Sequence, residues 1–298
     1  MLTSTEIFKS LHDVVQPYAA VLLDAYGVFW GGNACGLLPN AAEAMEKLVK
    51  KGKIVGILSN STQLSQKEID KVSKAGLTLG KHFHFYITSG DVAKNIFLNP
   101  HQHIPFLTPK RKFYVFAGKS HHFNSYKDIF ADSEFQETQS LEEADFIYLN
   151  VPHINDCNQL DPFAFKSEIE ELIASKLPVI CANPDKYAQE GNPPTLYVRQ
   201  GSIAQYFENV YYIGKPYHQI FTTALHKLKN FDIHSPSSIL MVGDTPETDI
   251  AGANKQGLHS ALIVNEGVMK ERISNMGLDS AISHLSISEL PTYFIEKL

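Results

Sequence analysis

Short runs of apolar residues alternate with amphipathic stretches along most of the chain. Apolar runs of four to six residues are typical of buried strands, and apolar positions three or four residues apart are typical of helices. The predicted strands are Ala20–Leu23, Ile54–Leu58, Phe83–Thr88, Phe113–Phe116, Phe146–Leu149, Val179–Cys181, Tyr211–Ile213, Ser238–Val242 and Ser260–Val264. The predicted helices are Ala41–Lys51, Ser65–Ala75, Asp91–Leu98, Phe165–Ser175, Ser202–Glu208, Gln219–Leu228 and Asp249–Gln256. This alternation predicts an α/β protein with parallel sheets and right-handed crossovers.

Two segments interrupt the alternation. The segment Asn99–Arg111 contains three prolines and is predicted to be a linker. Residues 184–194 contain three further prolines and Gly191, which predicts a long loop.

Polar residues follow three of the predicted strands, and one lysine precedes a predicted helix. These residues are Asp24, Ser59, Asn60, Lys215, Asp244 and Asp249. Because ligands of parallel α/β sheets bind beyond the carboxyl ends of the strands, neighbouring strands would bring these groups to one point.

This combination of side chains suits phosphoryl transfer. A carboxylate can attack phosphorus and form an aspartyl-phosphate, while other carboxylates hold Mg²⁺. A lysine and a hydroxyl can bind the remaining phosphate oxygens. Each residue alone also has a structural interpretation: Asp24 as a turn or helix cap, Ser59 and Asn60 as turn residues, and Lys215 as a solvated loop lysine.

Composition and charge narrow the class of protein. Of 298 residues, 44% are hydrophobic and 19% charged, which is enough apolar material for a packed core. The net charge of −6 argues against a nucleic-acid-binding protein, and no apolar run approaches the ~18 residues that span a membrane. Cys35, Cys157 and Cys181 are odd in number and far apart, which predicts buried thiols in a reducing compartment. With no apolar signal segment at the start, we expect a cytoplasmic protein.

The motifs resemble those of the haloacid dehalogenase (HAD) superfamily. The matching segments are Asp24-x-Tyr26-Gly27-Val28, Ser59-Asn60, Lys215 and Gly243-Asp244-x₄-Asp249. Asn183-Pro184-Asp185 and Gly201-Ser202-Ile203 further resemble class IIA of this superfamily, the group of p-nitrophenyl and pyridoxal phosphatases.

The resemblance implies a Rossmann-like core with an inserted α/β cap of type II. About 35 residues separate Asp24 from Ser59, and about 155 separate Ser59 from Lys215. Only the second interval has room for a domain of about 100 residues. We therefore expect a discontinuous core over 1–109 and 210–298, with the cap over 110–209. A homodimer paired through the caps is one arrangement that the resemblance allows.

The resemblance also implies roles for individual residues. Asp24 would be the nucleophile and a Mg²⁺ ligand, together with Asp244 and the backbone carbonyl of Tyr26. Asp249 would bind the metal through water or pair with Lys215, which balances the charge of Asp24 and the phosphate. Phosphate would be bound by Ser59 and by the backbone N–H of Asn60. The cap residues expected to face the leaving group are Asn183 and Asp185, with Tyr187 and Arg199 as weaker candidates.

Tyr26 departs from the family pattern. Phosphatases of the family usually carry a second aspartate there, which protonates the leaving group and then activates water. This chain resembles a branch of class IIA with an aromatic residue at that position. Two hypotheses follow: a Mg²⁺-dependent phosphatase of small phosphorylated metabolites, or a weak or inert protein that binds such a metabolite as a sensor.

Overall fold

The computed structural model describes residues 6–100, 103–104, 106, 111–119 and 123–298. The strands are β1 (Ile7–Phe8), β2 (Ala20–Leu23), β3 (Ile54–Ser59), β4 (Phe85–Thr88), β5 (Lys112–Lys119), β6 (Gln136–Thr138), β7 (Phe146–Ile154), β8 (Val179–Cys181), β9 (Tyr187–Glu190), β10 (Thr195–Val198), β11 (Val210–Tyr212), β12 (Ile239–Gly243), β13 (His259–Ile263) and β14 (Tyr293–Ile295). The α-helices are α1 (Ala41–Lys50), α2 (Ser65–Lys74), α3 (Ser89–Leu98), α4 (Ser125–Phe130), α5 (Lys166–Ala174), α6 (Gln200–Ala204), α7 (His218–Lys229), α8 (Ala251–Lys255), α9 (Gly267–Met276) and α10 (Leu278–Ser283).

The strands form two parallel sheets and one hairpin. The first sheet has the order β1-β14-β13-β12-β2-β3-β4, and the second has the order β11-β8-β7-β5-β6. The antiparallel pair β9–β10 stands apart. All residues of β2 and β12 are buried, as expected for central parallel strands covered on both faces. The predicted α/β fold class is confirmed, and the second sheet is consistent with an inserted cap.

One boundary strand differs from the sequence prediction. We expected residues 211–213 to belong to the core, but β11 pairs with β8 in the second sheet. All three residues of β11 are half-buried, so its apolar pattern gives no indication of which sheet it joins. The division into 1–109 plus 210–298 and 110–209 stays a prediction. Much of the predicted linker over Asn99–Arg111 lies outside the described residues.

The long loop predicted over 184–194 contains part of the β9–β10 hairpin. Its strands are mostly half-buried and are joined by a turn rich in proline, so they lack the apolar run of a core strand. The short helix after them begins at Gln200, two residues before its predicted start.

A shared apolar cluster joins the two sheets. The ring of Phe97 on α3 lies 4.3 Å from that of Phe130 on α4 and 6.3 Å from that of Phe146 on β7. The same cluster contains Ala20 and Leu22 of β2. On the surface, Lys67 of α2 pairs with Asp128 of α4 at 2.5 Å. The second sheet is therefore fixed over one side of the first by buried aromatic packing.

The sequence predicted three buried thiols, but two of the three cysteines are exposed. Cys35 and Cys157 are exposed in loops, whereas Cys181 is buried in β8, and all three are free thiols. Exposure of the first two depends on loop placement, which an apolar pattern does not encode. Within the described part of the chain, no helix is long and apolar enough to cross a membrane.

Candidate active site

The central strands of the first sheet end side by side. β2 lies between β12 and β3, and all three run parallel. Asp24 follows β2, Ser59 ends β3, and Asp244 follows β12. Because parallel strands end at the same edge, the polar residues predicted from the sequence meet there.

Three buried carboxylates form a cluster at this edge. Asp24, Asp244 and Asp249 each offer an oxygen within 4.8 Å of the others. Burial raises the pKa of Asp249 to about 7, although the ammonium of Lys215 opposes this shift. Burial, reinforced by the charges of Asp249 and Asp24, raises the pKa of Asp244 well above its ordinary value. The cluster therefore favours a bound cation, which would offset the repulsion between the carboxylates.

Lys215 connects two of these carboxylates. Its Nζ lies 2.6 Å from Asp24 Oδ1 and 2.7 Å from Asp249 Oδ1, and only 1% of the residue is exposed. Burial alone would lower the pKa of Lys215, but the carboxylates of Asp24 and Asp249 outweigh it and raise the pKa above its ordinary value. The side chain is thus held as an ammonium beside the carboxylate proposed to react.

Asn60 fixes the backbone of Lys215. Its Oδ1 accepts a hydrogen bond from Lys215 N at 2.7 Å, and its Nδ2 donates to Lys215 O at 3.1 Å. The same Nδ2 donates to Asp185 Oδ1 at 2.9 Å. The amide of Asn60 thereby connects the end of β3, the lysine loop and the loop after β8.

Asp249 lies in a wide helical turn rather than at the start of an α-helix. Residues Pro246–Ile250 form a π-helical turn, and α8 begins only at Ala251. The N–H of Asp249 donates to Thr245 O at 2.9 Å, and Thr245 N donates back to Asp249 Oδ2 at 3.1 Å. The second bond and the ion pair with Lys215 hold the carboxylate of Asp249 at the edge of the sheet.

Two glycines leave room for the carboxylates. Gly27 has a φ of +75°, and a Cβ there would lie 2.5 Å from Asp244 Oδ2. A Cβ at Gly243 would lie 2.1 Å from Asp249 Oδ2. Any other residue at either position would displace the cluster.

A cleft of about 720 Å³ extends from Asp24 towards the second sheet. Of the predicted site residues, it is lined by Asp24, Tyr26, Ser59, Asn60, Asn183, Asp185 and Arg199. Asp185 N donates to Asn183 Oδ1 at 3.0 Å, and burial raises the pKa of Asp185 to about 6 despite the opposing charge of Lys215. Lys215, Asp244 and Asp249 lie behind Asp24 and do not line the cleft, and Tyr187 packs instead against the apolar core of the second sheet.

Tyr26 contacts a charged network that the sequence analysis did not identify. Its Oη accepts a hydrogen bond from Lys71 Nζ at 3.1 Å, and Lys71 pairs with the buried carboxylate of Glu68. Glu68 in turn accepts from Ser61 Oγ at 2.7 Å. Burial raises the pKa of Tyr26 to about 12, so the phenol keeps its proton at neutral pH. The three-residue spacing of Glu68 and Lys71 on α2 is the available sequence signal for this pair.

The hairpin covers the far side of the cleft. Glu190 Oε2 accepts from the backbone N–H of Asn33 at 2.8 Å, and Glu190 Oε1 accepts from Asn33 Nδ2 at 3.1 Å. Arg199, directly after the hairpin, is 7% exposed. The loop after β2 and the hairpin therefore meet above the site.

Two family models match the sequence. A haloacid dehalogenase-like hydrolase model matches residues 21–126, and a HAD-hydrolase-like model matches residues 212–285. Together the two matched ranges contain Asp24, Ser59, Lys215, Asp244 and Asp249. Among curated proteins, no significant match is found.

Solved structures share the fold over nearly the whole chain. A haloacid dehalogenase-like hydrolase from Brucella suis has a TM-score of 0.76 and 22% identity, covering 97% of this chain and 99% of that one. A possible sugar phosphatase from Cytophaga hutchinsonii has a TM-score of 0.70 and 21% identity, covering 98% of each chain. A glycerol phosphate phosphatase from Mycobacterium tuberculosis, solved with magnesium, has a TM-score of 0.63 and 18% identity, covering 94% of this chain and 76% of that one. The chain therefore matches haloacid dehalogenase-like models over two separate segments and has the fold of that superfamily.

Proposed function

We propose that the protein is a Mg²⁺-dependent phosphatase of small phosphorylated metabolites that reacts through an aspartyl-phosphate at Asp24. The observation that carries the proposal is the buried ammonium of Lys215 between Asp24 and Asp249, next to a third carboxylate. The relatives described as phosphatases support the same activity. The fold shared with a p-nitrophenyl phosphatase from Archaeoglobus fulgidus supports assignment to that group.

The donor set fits Mg²⁺, which prefers hard oxygen ligands. Three buried carboxylates face one ammonium, which leaves negative charge for a cation to offset. Asp24, Asp244 and the backbone carbonyl of Tyr26 would hold the metal. Asp249 already pairs with Lys215, which favours its role as the partner of the lysine. When bound, Mg²⁺ would neutralise charge on the phosphate oxygens.

Each residue of the site has its own role in the proposed reaction. A carboxylate oxygen of Asp24 attacks phosphorus, and the bond from phosphorus to the leaving oxygen breaks. Lys215, Ser59 Oγ and the backbone N–H of Asn60 bind the phosphoryl oxygens. Water then attacks phosphorus, which releases phosphate and regenerates the carboxylate of Asp24. Asn183 and Asp185 lie on the cleft wall where the leaving group would bind.

Tyr26 favours a second candidate function. A phenol that stays protonated is a poor base, and the usual aspartate is missing at this position. A protein with an intact metal and phosphate site but slow turnover would bind a phosphorylated metabolite as a sensor. Phosphate release from a panel of phosphorylated metabolites, with and without Mg²⁺, separates the two functions. Mg²⁺-dependent release supports the phosphatase, whereas binding without release supports the sensor.

Mg²⁺ is expected to raise the melting temperature. A ligand at about 100 times its Kd stabilises the folded state by about 2.7 kcal/mol. Asp244→Ala should remove most of the shift, because it removes a proposed ligand from the buried cluster. The measurement is thermal unfolding with and without millimolar Mg²⁺. Asp279→Ala serves as the control, because Asp279 is exposed on α10 and should leave the shift intact. Identical melting curves of the wild-type protein in both buffers would contradict the metal site.

A further inference from the structure

A buried arginine lies on the wall of the cleft opposite the first sheet. The side chain of Arg199 is 9% exposed, and it lines the same cleft as Asp24 and Ser59. Its Nη1 donates to Asn158 Oδ1 at 3.0 Å and to the backbone oxygen of Val198 at 2.9 Å. These two bonds fix one end of the guanidinium against β10 and the loop after β7.

The other edge of this guanidinium has spare donors. Glu190 Oε1 lies 3.8 Å from Nη2, beyond hydrogen-bonding distance, and both oxygens of Glu190 already accept bonds from Asn33. Among the residues that the structure describes, none accepts a hydrogen bond from Nε or Nη2 of Arg199. These donors are left to water in the cleft or to a ligand, and an anionic ligand would form the stronger, charge-assisted hydrogen bonds with them.

Neighbouring cations in the cleft are paired more closely than Arg199, whose ion pair with Glu190 is 3.8 Å long and without a hydrogen bond. Lys67 pairs with Asp128 at 2.5 Å, and Lys71 pairs with Glu68 and donates to Tyr26. Both lysines therefore have carboxylate partners within the protein. The guanidinium also presents its N–H groups in a planar fork, which matches the oxygens of a carboxylate or a phosphate.

We propose that Arg199 binds a second anionic group on the leaving-group side of the substrate. The preferred substrates are then phosphate monoesters that also carry a carboxylate or a second phosphate. This inference rests on the proposed phosphatase function and specifies its substrate class. Asp24 and Lys215 act on the phosphoryl group that is transferred, and Arg199 selects what is attached to it.

The size of the selection follows from hydrogen bonds between charged groups. Such bonds contribute about 1.5–3 kcal/mol, which corresponds to a difference of about 10- to 100-fold in binding. When a substrate carries a neutral hydroxyl in place of the anion, the free N–H groups of Arg199 bind water instead. We expect the loss to appear chiefly in KM, because the second anion does not take part in the chemical step.

The test compares matched substrates. 3-Phosphoglycerate and glycerol 3-phosphate differ by a carboxylate against a hydroxymethyl group, and both lose a primary alkoxide. Fructose 1,6-bisphosphate and fructose 6-phosphate form the corresponding pair for a second phosphate. At least one pair should show a kcat/KM higher by about 10-fold or more for the member with the extra anion. The pair that shows this difference in kcat/KM identifies the second anionic group as a carboxylate or a phosphate.

Variants then assign the preference to the arginine. Arg199→Gln should remove the preference, measured as the ratio of kcat/KM within each matched pair, so that a general loss of activity does not affect the result. Arg199→Lys keeps the positive charge but loses the planar set of N–H donors, so it should reduce the preference. This variant provides the test if Arg199→Gln does not fold. Lys67→Gln is the control, since this lysine is already paired, and it should retain the preference.

A binding measurement separates this inference from the proposed function. Calorimetric titration of Asp24→Asn protein with each matched pair, in the presence of Mg²⁺, reports the preference without turnover. If no phosphate is released from any substrate, the proposed phosphatase function is wrong. The role of Arg199 is then decided by the ratio of the two Kd values within each matched pair. Equal binding of both members of each pair, or a preference that is undiminished in folded Arg199 variants, would overturn the inference.

Discussion

Asp24→Asn is expected to lower kcat on p-nitrophenyl phosphate by about 10⁴-fold or more, as for other enzymes that lose a nucleophile. An amide oxygen neither attacks phosphorus nor carries the charge that Lys215 balances at 2.6 Å. The fold should survive, because Lys215 keeps its ion pair with Asp249 at 2.7 Å. The measurement is steady-state phosphate release at saturating Mg²⁺.

Stability provides a second measurement on the same variant. In Mg²⁺-free buffer the substitution removes one of three clustered carboxylates, which relieves repulsion, but it also removes one partner of Lys215. These opposing effects should leave the melting temperature within a few degrees of wild type. Asp279→Asn, on the surface of α10, is the matched control and should retain full activity. Turnover of Asp24→Asn within a few-fold of wild type would remove Asp24 from the role of nucleophile.

The sequence predicted the part of the fold that depends on apolar runs. β2 and β8 have the predicted bounds, and β12 differs from prediction by one residue at each end. These strands are buried throughout, so their sequences contain little besides apolar residues. Because polar residues at the ends of such strands stand out, the amino-acid sequence alone also indicates Asp24, Ser59 and Asp244.

Features that depend on tertiary contacts were not predicted. The β9–β10 hairpin has mostly half-buried strands, and Glu190 of this hairpin bonds to Asn33, which lies 157 residues away in the sequence. The bond between Lys71 and Tyr26 requires α2 to lie beside the loop after β2. The wide turn before α8 occupies residues whose pattern also suits an α-helix, so the sequence predicted a helix from Asp249. In each case the sequence signal is one or two polar residues, which have many alternative partners.

The second large effect follows from Tyr26. We expect kcat to be much higher for substrates whose leaving group needs no proton than for substrates that release an alkoxide. General acid–base catalysis typically contributes about 10²–10⁴-fold. Burial raises the pKa of Tyr26 to about 12, and Lys71 donates a hydrogen bond to its Oη. The phenol can therefore donate a hydrogen bond to a leaving oxygen, but it cannot act as a base towards water at neutral pH.

Wild-type protein should accordingly hydrolyse p-nitrophenyl phosphate far faster than fructose 6-phosphate. Nitrophenolate leaves without a proton, whereas a sugar alkoxide does not. Because the second step also lacks its usual base, the aspartyl-phosphate should accumulate and give a burst of nitrophenolate before a slower steady state.

Tyr26→Asp should narrow the margin between the two substrates, and Tyr26→Phe should widen it or leave it unchanged, since phenylalanine removes the hydroxyl and keeps the ring. The measurement is kcat on both substrates for the three proteins, with rapid mixing to detect the burst. The aspartate would restore a group that can give a proton to the alkoxide and later take one from water. Wild-type turnover of fructose 6-phosphate at an ordinary rate of about 10 s⁻¹ would show that another group supplies the proton. Asp185, on the cleft wall with a pKa raised by burial to about 6, would then be the first residue to replace.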